Sequence, residues 1–196
     1  AANGANTSAV FSGIDPRNSQ QYVYLETLGG GMGARATKDG KDGVQVNITN
    51  TSNLPVEAIE MEYPLRVEDY ALIADSGGAG KHRGGMGIRR SIRPVGHICE
   101  FNGVGERFRN QPWGIFGGQP GAAGTFEMVD CKGSTTSLSS KASRVKLSPD
   151  ARVVISTPGA GGYGAPEDRA SKALAEDQAS GKFTKGFLAS NYARKD

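Results

Sequence analysis

A carboxylate and a guanidinium flank the first glycine cluster of this chain, Glu26-Thr27-Leu28-Gly29-Gly30-Gly31-Met32-Gly33-Ala34-Arg35. A strand that runs into consecutive glycines brings backbone close to something, either a ligand or another stretch of chain. With a ligand there, Glu26 and Arg35 converge at its mouth. With chain there, the glycines mark a tight crossover, and residue types alone leave both readings open. A second cluster, Asp75-Ser76-Gly77-Gly78-Ala79-Gly80-Lys81-His82-Arg83-Gly84-Gly85, superficially suggests a phosphate loop. That loop needs GxxxxGK, then Ser or Thr, then a helix. Here His82 follows Lys81 and residues 86–93 read as a strand, so a Walker motif is rejected. Lys81, Arg83, Arg89, Arg90 and Arg93 make a basic strip that suits solvent or a subunit face better than an anion. The third cluster, 157–166, matches GxGxxG at 159–164, but Pro166 interrupts any immediate helix and no βαβ unit surrounds it. A buried loop packing Tyr163 against a sheet is the better reading.

Other chemistry is sparse. His82 and His97 have no ligand-spaced His or Cys partner, so a zinc site made by this chain alone is not expected. His97 lies two residues from Cys99 in an expected strand, which puts both on one side. A packed strand explains that spacing more simply than a reactive pair. GxSxG is missing, and with it a serine-hydrolase elbow. Glu106-Arg107-Phe108-Arg109 precedes Trp113, the one tryptophan, and forms either a pocket edge or an ion pair under an aromatic anchor.

The elements that must carry these residues are mainly strands. The 196 residues include 29 Gly, about twice the usual share of roughly 7%, without the three-residue period of collagen. Hydrophobic residues (37%) are spread along the whole chain, which argues against a disordered tail. Net charge is +3, with 23 basic and 20 acidic residues, too mild to point to nucleic acid. No apolar run of about 18 residues is present to span a membrane, and the first residues do not form a signal peptide. Cys99 and Cys131 do not frame a disulfide scaffold and read as reduced thiols of a cytoplasmic protein. The chain starts at Ala1, and a processed or truncated polypeptide is expected. Strands are predicted over 22–28, 44–49, 65–73, 125–129 and 152–156, with a hairpin joining 88–93 to 97–102 around Pro94-Val95-Gly96. Residues 51–57 start a short helix or a loop. The expectation is a mainly β (α+β) domain, a Gly-loop-rich antiparallel or mixed sheet over residues 1–165. A helical tail follows over 166–196, with a helix at 167–179 stopped by Gly181 and a second one capped by Thr184.

Taken in order, these motifs resemble the C-terminal part of the hydantoinase B/oxoprolinase family, which includes N-methylhydantoinase B subunits, the matching half of 5-oxoprolinase and the acetone carboxylase α subunit. The matching stretches are Glu26-Thr27 with Gly29-Gly30-Gly31, Gly33-Ala34-Arg35, Thr49-Asn50-Thr51-Ser52-Asn53 and Glu62-Tyr63-Pro64. They continue through residues 75–80 with Arg83-Gly84-Gly85, Gly103-Val104-Gly105-Glu106-Arg107, residues 117–121 and residues 157–164. The resemblance implies roughly the last third of a B-type subunit. It also implies a hetero-oligomer in which ATP and Mg2+ are held by an A-type subunit, and a divalent metal in the N-terminal part of the B-type polypeptide. In the hydrolytic branch a lactam or imide carbonyl is phosphorylated and its C–N bond opened by water; the alternative branch carboxylates a ketone. A third expectation is a non-catalytic module that holds subunits together.

For site residues the resemblance points to Glu26 and Arg35 as catalytic. Arg35 would hold a carboxylate or phosphorylated intermediate by paired hydrogen bonds, while Glu26 would orient water or a neighbouring cation. Asn47, Asn50, Arg83, Glu106 and Arg107 are expected to bind or support substrate. Asn47 stands where relatives often carry His, which puts any proton-shuttle role at that position in doubt.

Overall fold

The computed structural model describes residues 1–193. Nine strands among them form two antiparallel sheets. The first runs in the order β2 (Gln21–Leu28), β1 (Thr7–Ile14), β5 (Cys99–Val104), β8 (Lys141–Leu147). The second runs β3 (Leu65–Leu72), β4 (Ile88–Pro94), β9 (Arg152–Ser156), β6 (Thr125–Val129), β7 (Thr135–Leu138). Alternate residues of a strand face one side, and each sheet turns its apolar set inward. Ala9, Phe11, Tyr24, Leu28 and Phe101 of the first sheet meet Ile92, Phe126, Val153 and Ile155 of the second. Phe101 and Phe126 pack edge to face with ring centroids 5.6 Å apart.

Two strand expectations are corrected. Residues 44–49 make no strand; Val44 forms a single bridge to Gly30. Ile48 (φ 62°) and Asn50 (φ 70°) take left-handed backbone conformations, which no ladder tolerates and which are unusual for a β-branched residue. The side chain of Gln45 gathers this segment instead, accepting from the hydroxyls of Thr49 and Thr51. Strands 88–94 and 99–104 form, but not as a hairpin. β3 and β9 occupy both edges of β4, so the chain crosses at Gly96 (φ 71°) to the other sheet. The short helix falls at α1 (Val56–Glu62).

The glycine clusters pack on one another at the end of the sandwich, not on a sheet. Residues 158–163 lie at the centre and, besides bonds to Ala1 and Ile115, hydrogen-bond three segments with a period of three, the period of an extended left-handed helix. Pro158 and Gly161 accept from the amides of Gly31 and Ala34, at 3.0 and 3.1 Å. Gly159 and Gly162 donate to the carbonyls of Ala122 and Gln119, at 3.1 and 3.0 Å. Ala160 accepts from Gly78 at 2.7 Å, and Tyr163 donates to His82 at 2.9 Å. Tyr163 thus belongs to this bundle, with its ring against Phe116. The period missing from the sequence is present in space, because the three-fold pattern belongs to hydrogen bonds and not to residue type. Glycine is required where backbones cross: a Cβ on Gly84 would sit 1.8 Å from the Ala160 carbonyl oxygen, and one on Gly159 would sit 1.8 Å from that of Ser76.

Both expected tail helices form, the first beginning later than 167, while 194–196 of the expected tail lie outside the described residues. A short turn of 3-10 helix (Pro166–Asp168) leads to α2 (Ser171–Ala179), and α3 (Lys185–Asn191) follows. Gly181 (φ 71°) ends the first helix, and Thr184 caps the second by accepting the Phe187 amide at 3.2 Å. Phe183, Phe187, Leu188 and Tyr192 pack with Ala79 and Met86 of the second cluster. No helix among the described residues is long and apolar enough to cross a membrane.

Candidate functional site

Glu26 sits on the inward face of β2 between Tyr24 and Leu28, and is buried. Its guanidinium partner is Arg90, not Arg35. Arg90 occupies the inward face of β4 between Ile88 and Ile92 and is fully buried, with Nη1 3.2 Å from Glu26 Oε1. The Arg90 guanidinium lies 4.4 Å over the Tyr70 ring, a cation–π contact. Tyr70 donates its hydroxyl to Asn53 Oδ1 at 3.0 Å, and Asn53 Nδ2 donates to Glu26 Oε1 and to the Thr27 carbonyl, both at 2.9 Å. Glu26, Arg90, Tyr70 and Asn53 therefore close a ring that joins both sheets to the 44–54 segment. Burial, and next the Glu26 charge, push the neighbouring Tyr24 hydroxyl well above its ordinary pKa. Glu26 Oε2, the three Arg90 nitrogens and the Tyr24 hydroxyl have no hydrogen-bond partner among the described residues. A buried ion pair so sparsely bonded is costly to break from one side only.

The other candidates lie in separate settings. Arg35 is exposed in a turn where its amide bonds the Lys38 carbonyl at 3.0 Å, and it makes no ion pair with Glu26. Asn47 and Asn50 are exposed on the 44–54 segment, and the Asn47 carbonyl accepts from Asn6 Nδ2 at 3.3 Å. Glu106 Oε2 accepts the Ala5 amide at 2.8 Å, and Arg107 stacks 4.6 Å over the Trp113 ring. The ion pair expected within residues 106–109 does not form among the described residues; Arg107 stacks on the Trp113 ring instead. These two residues also border a shallow surface cavity of about 330 Å³.

Arg83 fastens the tail. It pairs with Asp42 at 2.7 Å and with Asp177 of α2 at 2.9 Å. Arg169 pairs with the same Asp177 at 2.6 Å and with Asp39 at 2.8 Å. Arg83, Arg169 and Asp177 are all buried. Burial is the largest single influence and opposes the Asp39 charge, but the hydrogen bond and charge of Arg169, with the amide and charge of Arg83, together outweigh it and hold that carboxyl below its usual range.

The glycine amides and the acidic and histidine side chains are largely occupied within the chain among the described residues. A phosphate needs free backbone amides, whereas those of Gly31, Gly78, Gly84, Gly85, Gly159, Gly161 and Gly162 all donate to carbonyls of this chain. No group of three or more His, Cys, Asp or Glu among the described residues is arranged to hold a metal. His97 bonds the Val95 carbonyl through Nδ1 at 3.0 Å and the Tyr22 hydroxyl through Nε2 at 2.7 Å. The carbonyl can only accept, so the proton belongs on Nδ1 and Tyr22 donates to Nε2. Cys99 is buried, which raises its thiol pKa and makes it inert.

Residues 1–166 match the sequence model of Hydantoinase B/oxoprolinase. The chain belongs to that family. It is 34% identical over 178 residues to a protein from a Pseudomonas species named as the putative B component of a D-/L-hydantoinase, covering 89% of this chain and 29% of that protein. It is 35% identical over 184 residues to the 5-oxoprolinase PfmaA of Pestalotiopsis fici, covering 86% of this chain and 14% of that protein. Its fold matches the crystal structure of an ATP-dependent caprolactamase from Pseudomonas jessenii with a TM-score of 0.79 at 22% identity, covering 96% of this chain and 35% of that one. The chain spans 30% or less of the length of the curated relatives it matches. The Glu-Thr and Asn-rich stretches, separate motifs in the sequence, are the two halves of the Glu26–Asn53 contact. Arg90 and Tyr70 are not among the expected site residues, although an Arg at the inward position of an alternating strand demands a buried carboxylate.

Proposed function

We propose that this chain is the C-terminal segment of the B-type subunit of an ATP-dependent enzyme that hydrolyses a cyclic amide C–N bond in the cytoplasm. The observation that carries this reading is 34–35% identity, over most of the chain, to proteins named for hydantoin and 5-oxoproline. Both are cyclic amides. The engaged glycine amides support assigning ATP and Mg2+ to an A-type partner, and the lack of a ligand cluster among the described residues supports assigning any divalent metal to the B-type portion outside this chain.

Within this reading Glu26 is a positioning residue, since burial keeps it from substrate. Through Asn53 it anchors the 44–54 segment, which presents Asn47 and Asn50 on the surface. Arg35 is the exposed cation available to a carboxylate or phosphorylated group. Glu106 and Arg107 hold the first residues and Trp113 in place, and Arg83 holds the tail.

The test is a substrate comparison on the complete A–B enzyme, with ATP and one of hydantoin, 5-oxoproline or caprolactam, and separately with ATP, acetone and bicarbonate. Ring opening supports the proposal. Ketone carboxylation transfers the chain to the carboxylase branch. If neither reaction occurs and deleting this segment dissolves the complex, the chain is an assembly module.

A further inference from the structure

The sheet edges of this fold are protected unequally. β3 carries Arg66, Glu68 and Asp69, with its register broken between Val67 and Asp69. β8 carries Lys141, Arg144 and Lys146, takes φ 54° at Arg144, and pairs irregularly with β5. β7 is only four residues long. Charge, bulges and shortness are the usual means of keeping an edge from pairing with another strand.

β2 has none of them. Its eight residues pair with β1 without a register shift, and they include no Pro, Lys or Arg. Its one charge, Glu26, is turned inward onto Arg90. The Thr27 carbonyl accepts from Gln45 Nε2 at 3.2 Å and from Asn53 Nδ2 at 2.9 Å, both from outside the sheet. That places the Thr27 polar groups on the free edge. Every second residue of an antiparallel strand points its amide and carbonyl the same way, so those of Val23 and Leu25 also face the edge. No backbone partner beyond the β1 ladder reaches either residue among the described residues. Their side chains stand on the outer face of the sheet, 56% and 63% exposed, with Val10 opposite Leu25 and exposed Ile14 nearby. A sheet face meant for water is ordinarily polar at these positions.

We propose that β2 is an acceptor edge: a strand from the part of the B-type polypeptide outside this chain adds along Gln21–Leu25, short of the Thr27 carbonyl that Gln45 and Asn53 already hold, and covers Val23 and Leu25. This rests on the B-type reading above. The occupant follows from length, because the chain spans 30% or less of its curated relatives. Under that reading the larger part of the polypeptide lies outside this chain, and β2 is the edge left open to it. Main-chain hydrogen bonds supply the attachment, and the alternate apolar side chains set the register.

Residue-resolved amide hydrogen exchange tests this, comparing the 196-residue chain at a concentration where it is monomeric with the complete B-type polypeptide. The Val23 and Leu25 amides exchange freely in the chain alone and at least 100-fold more slowly in the complete polypeptide. The Tyr24 amide, directed at β1, is slow in both. Leu25→Lys leaves the circular dichroism of the chain unchanged but lowers edge protection in the complete polypeptide at least tenfold; Leu25→Thr, which keeps the edge uncharged, lowers it less. Equal, fast exchange of Val23 and Leu25 in both proteins overturns the proposal. So does protection that grows with concentration in the isolated chain, which makes a second copy the occupant. Exchange does not depend on turnover, so an inactive enzyme would count against the cyclic-amidase reading without touching this result.

Discussion

Replacing Gly84 by Ala tests whether the glycine bundle is held by backbone crossings. The new Cβ would stand 1.8 Å from the Ala160 carbonyl oxygen and 2.5 Å from its carbon. Ordinary contact begins at 3.4 Å, so Ala160 must retreat by about 1.6 Å. That movement breaks the 2.7 Å hydrogen bond from Gly78 to the same carbonyl. Overpacking costs about 1–3 kcal/mol, and a buried amide left without a partner costs about 1–3 kcal/mol more. The total of about 2–6 kcal/mol is a large share of the about 5–15 kcal/mol that holds an ordinary domain folded. Gly186→Ala is the control: it lies in α3, its added Cβ meets only Thr184 Oγ1 at 3.9 Å, and it should stabilise by about 0.5–1 kcal/mol. Urea unfolding followed by fluorescence of Trp113, whose carbonyl faces Gly161, reads the bundle directly. With a slope of about 2 kcal/mol/M, Gly84→Ala lowers the midpoint by about 1–3 M. A midpoint within about 0.25 M of wild type, equivalent to about 0.5 kcal/mol, would refute the reasoning.

Three further outcomes are expected. Glu26→Gln leaves the Arg90 charge buried alone and destabilises by about 3–5 kcal/mol; Glu26→Leu combined with Arg90→Met regains most of that loss, and a single-variant cost under about 1 kcal/mol contradicts the ring. Because the Asp39 carboxyl titrates below its usual range when folded, its contribution to tail docking is complete above the ordinary value of about 3.9 and is lost as pH falls through the lower folded value. Exchange protection of the α2 amides should therefore be flat from neutral pH to about 5 and fall below about 4; a loss centred near neutral pH would contradict the Asp39 account. Arg35→Ala, at an exposed turn, changes stability by less than about 0.5 kcal/mol, whereas kcat/KM of the assembled enzyme falls at least tenfold; unchanged turnover removes Arg35 from the site.

The sequence was most legible where one face of an element is buried. Strands 65–72, 125–129 and 152–156 and both tail helices follow from alternation or caps. β1, β7 and β8 are not legible, because Val10 and Ile14 on the outer face of β1 blur its alternation and Ser, Thr, Lys and Arg fill most of β7 and β8. The 44–49 stretch alternates like a strand, yet Ile48 and Asn50 turn left-handed under the hold of Gln45. Alternation cannot register a side chain that captures its own backbone. Among site residues, Glu26 was legible as a carboxylate with a guanidinium partner, but nearness in sequence suggested Arg35. The true partner lies across the sandwich on β4, and only the inward register of both strands identifies it. Arg83 was legible as charge beside glycines; its role needed Asp177, 94 residues away. The glycines were legible as sites of close approach, and the structure decides between ligand and chain in favour of chain.

One measurement tests the central claim most directly. The complete A–B enzyme is given a cyclic amide, and ADP and ring-opened product are followed in the same reaction. The account predicts that both rise together, that omitting ATP abolishes the product, and that deleting the segment equivalent to residues 1–193 abolishes it as well. Ring opening that continues without ATP, or without this segment, would contradict it.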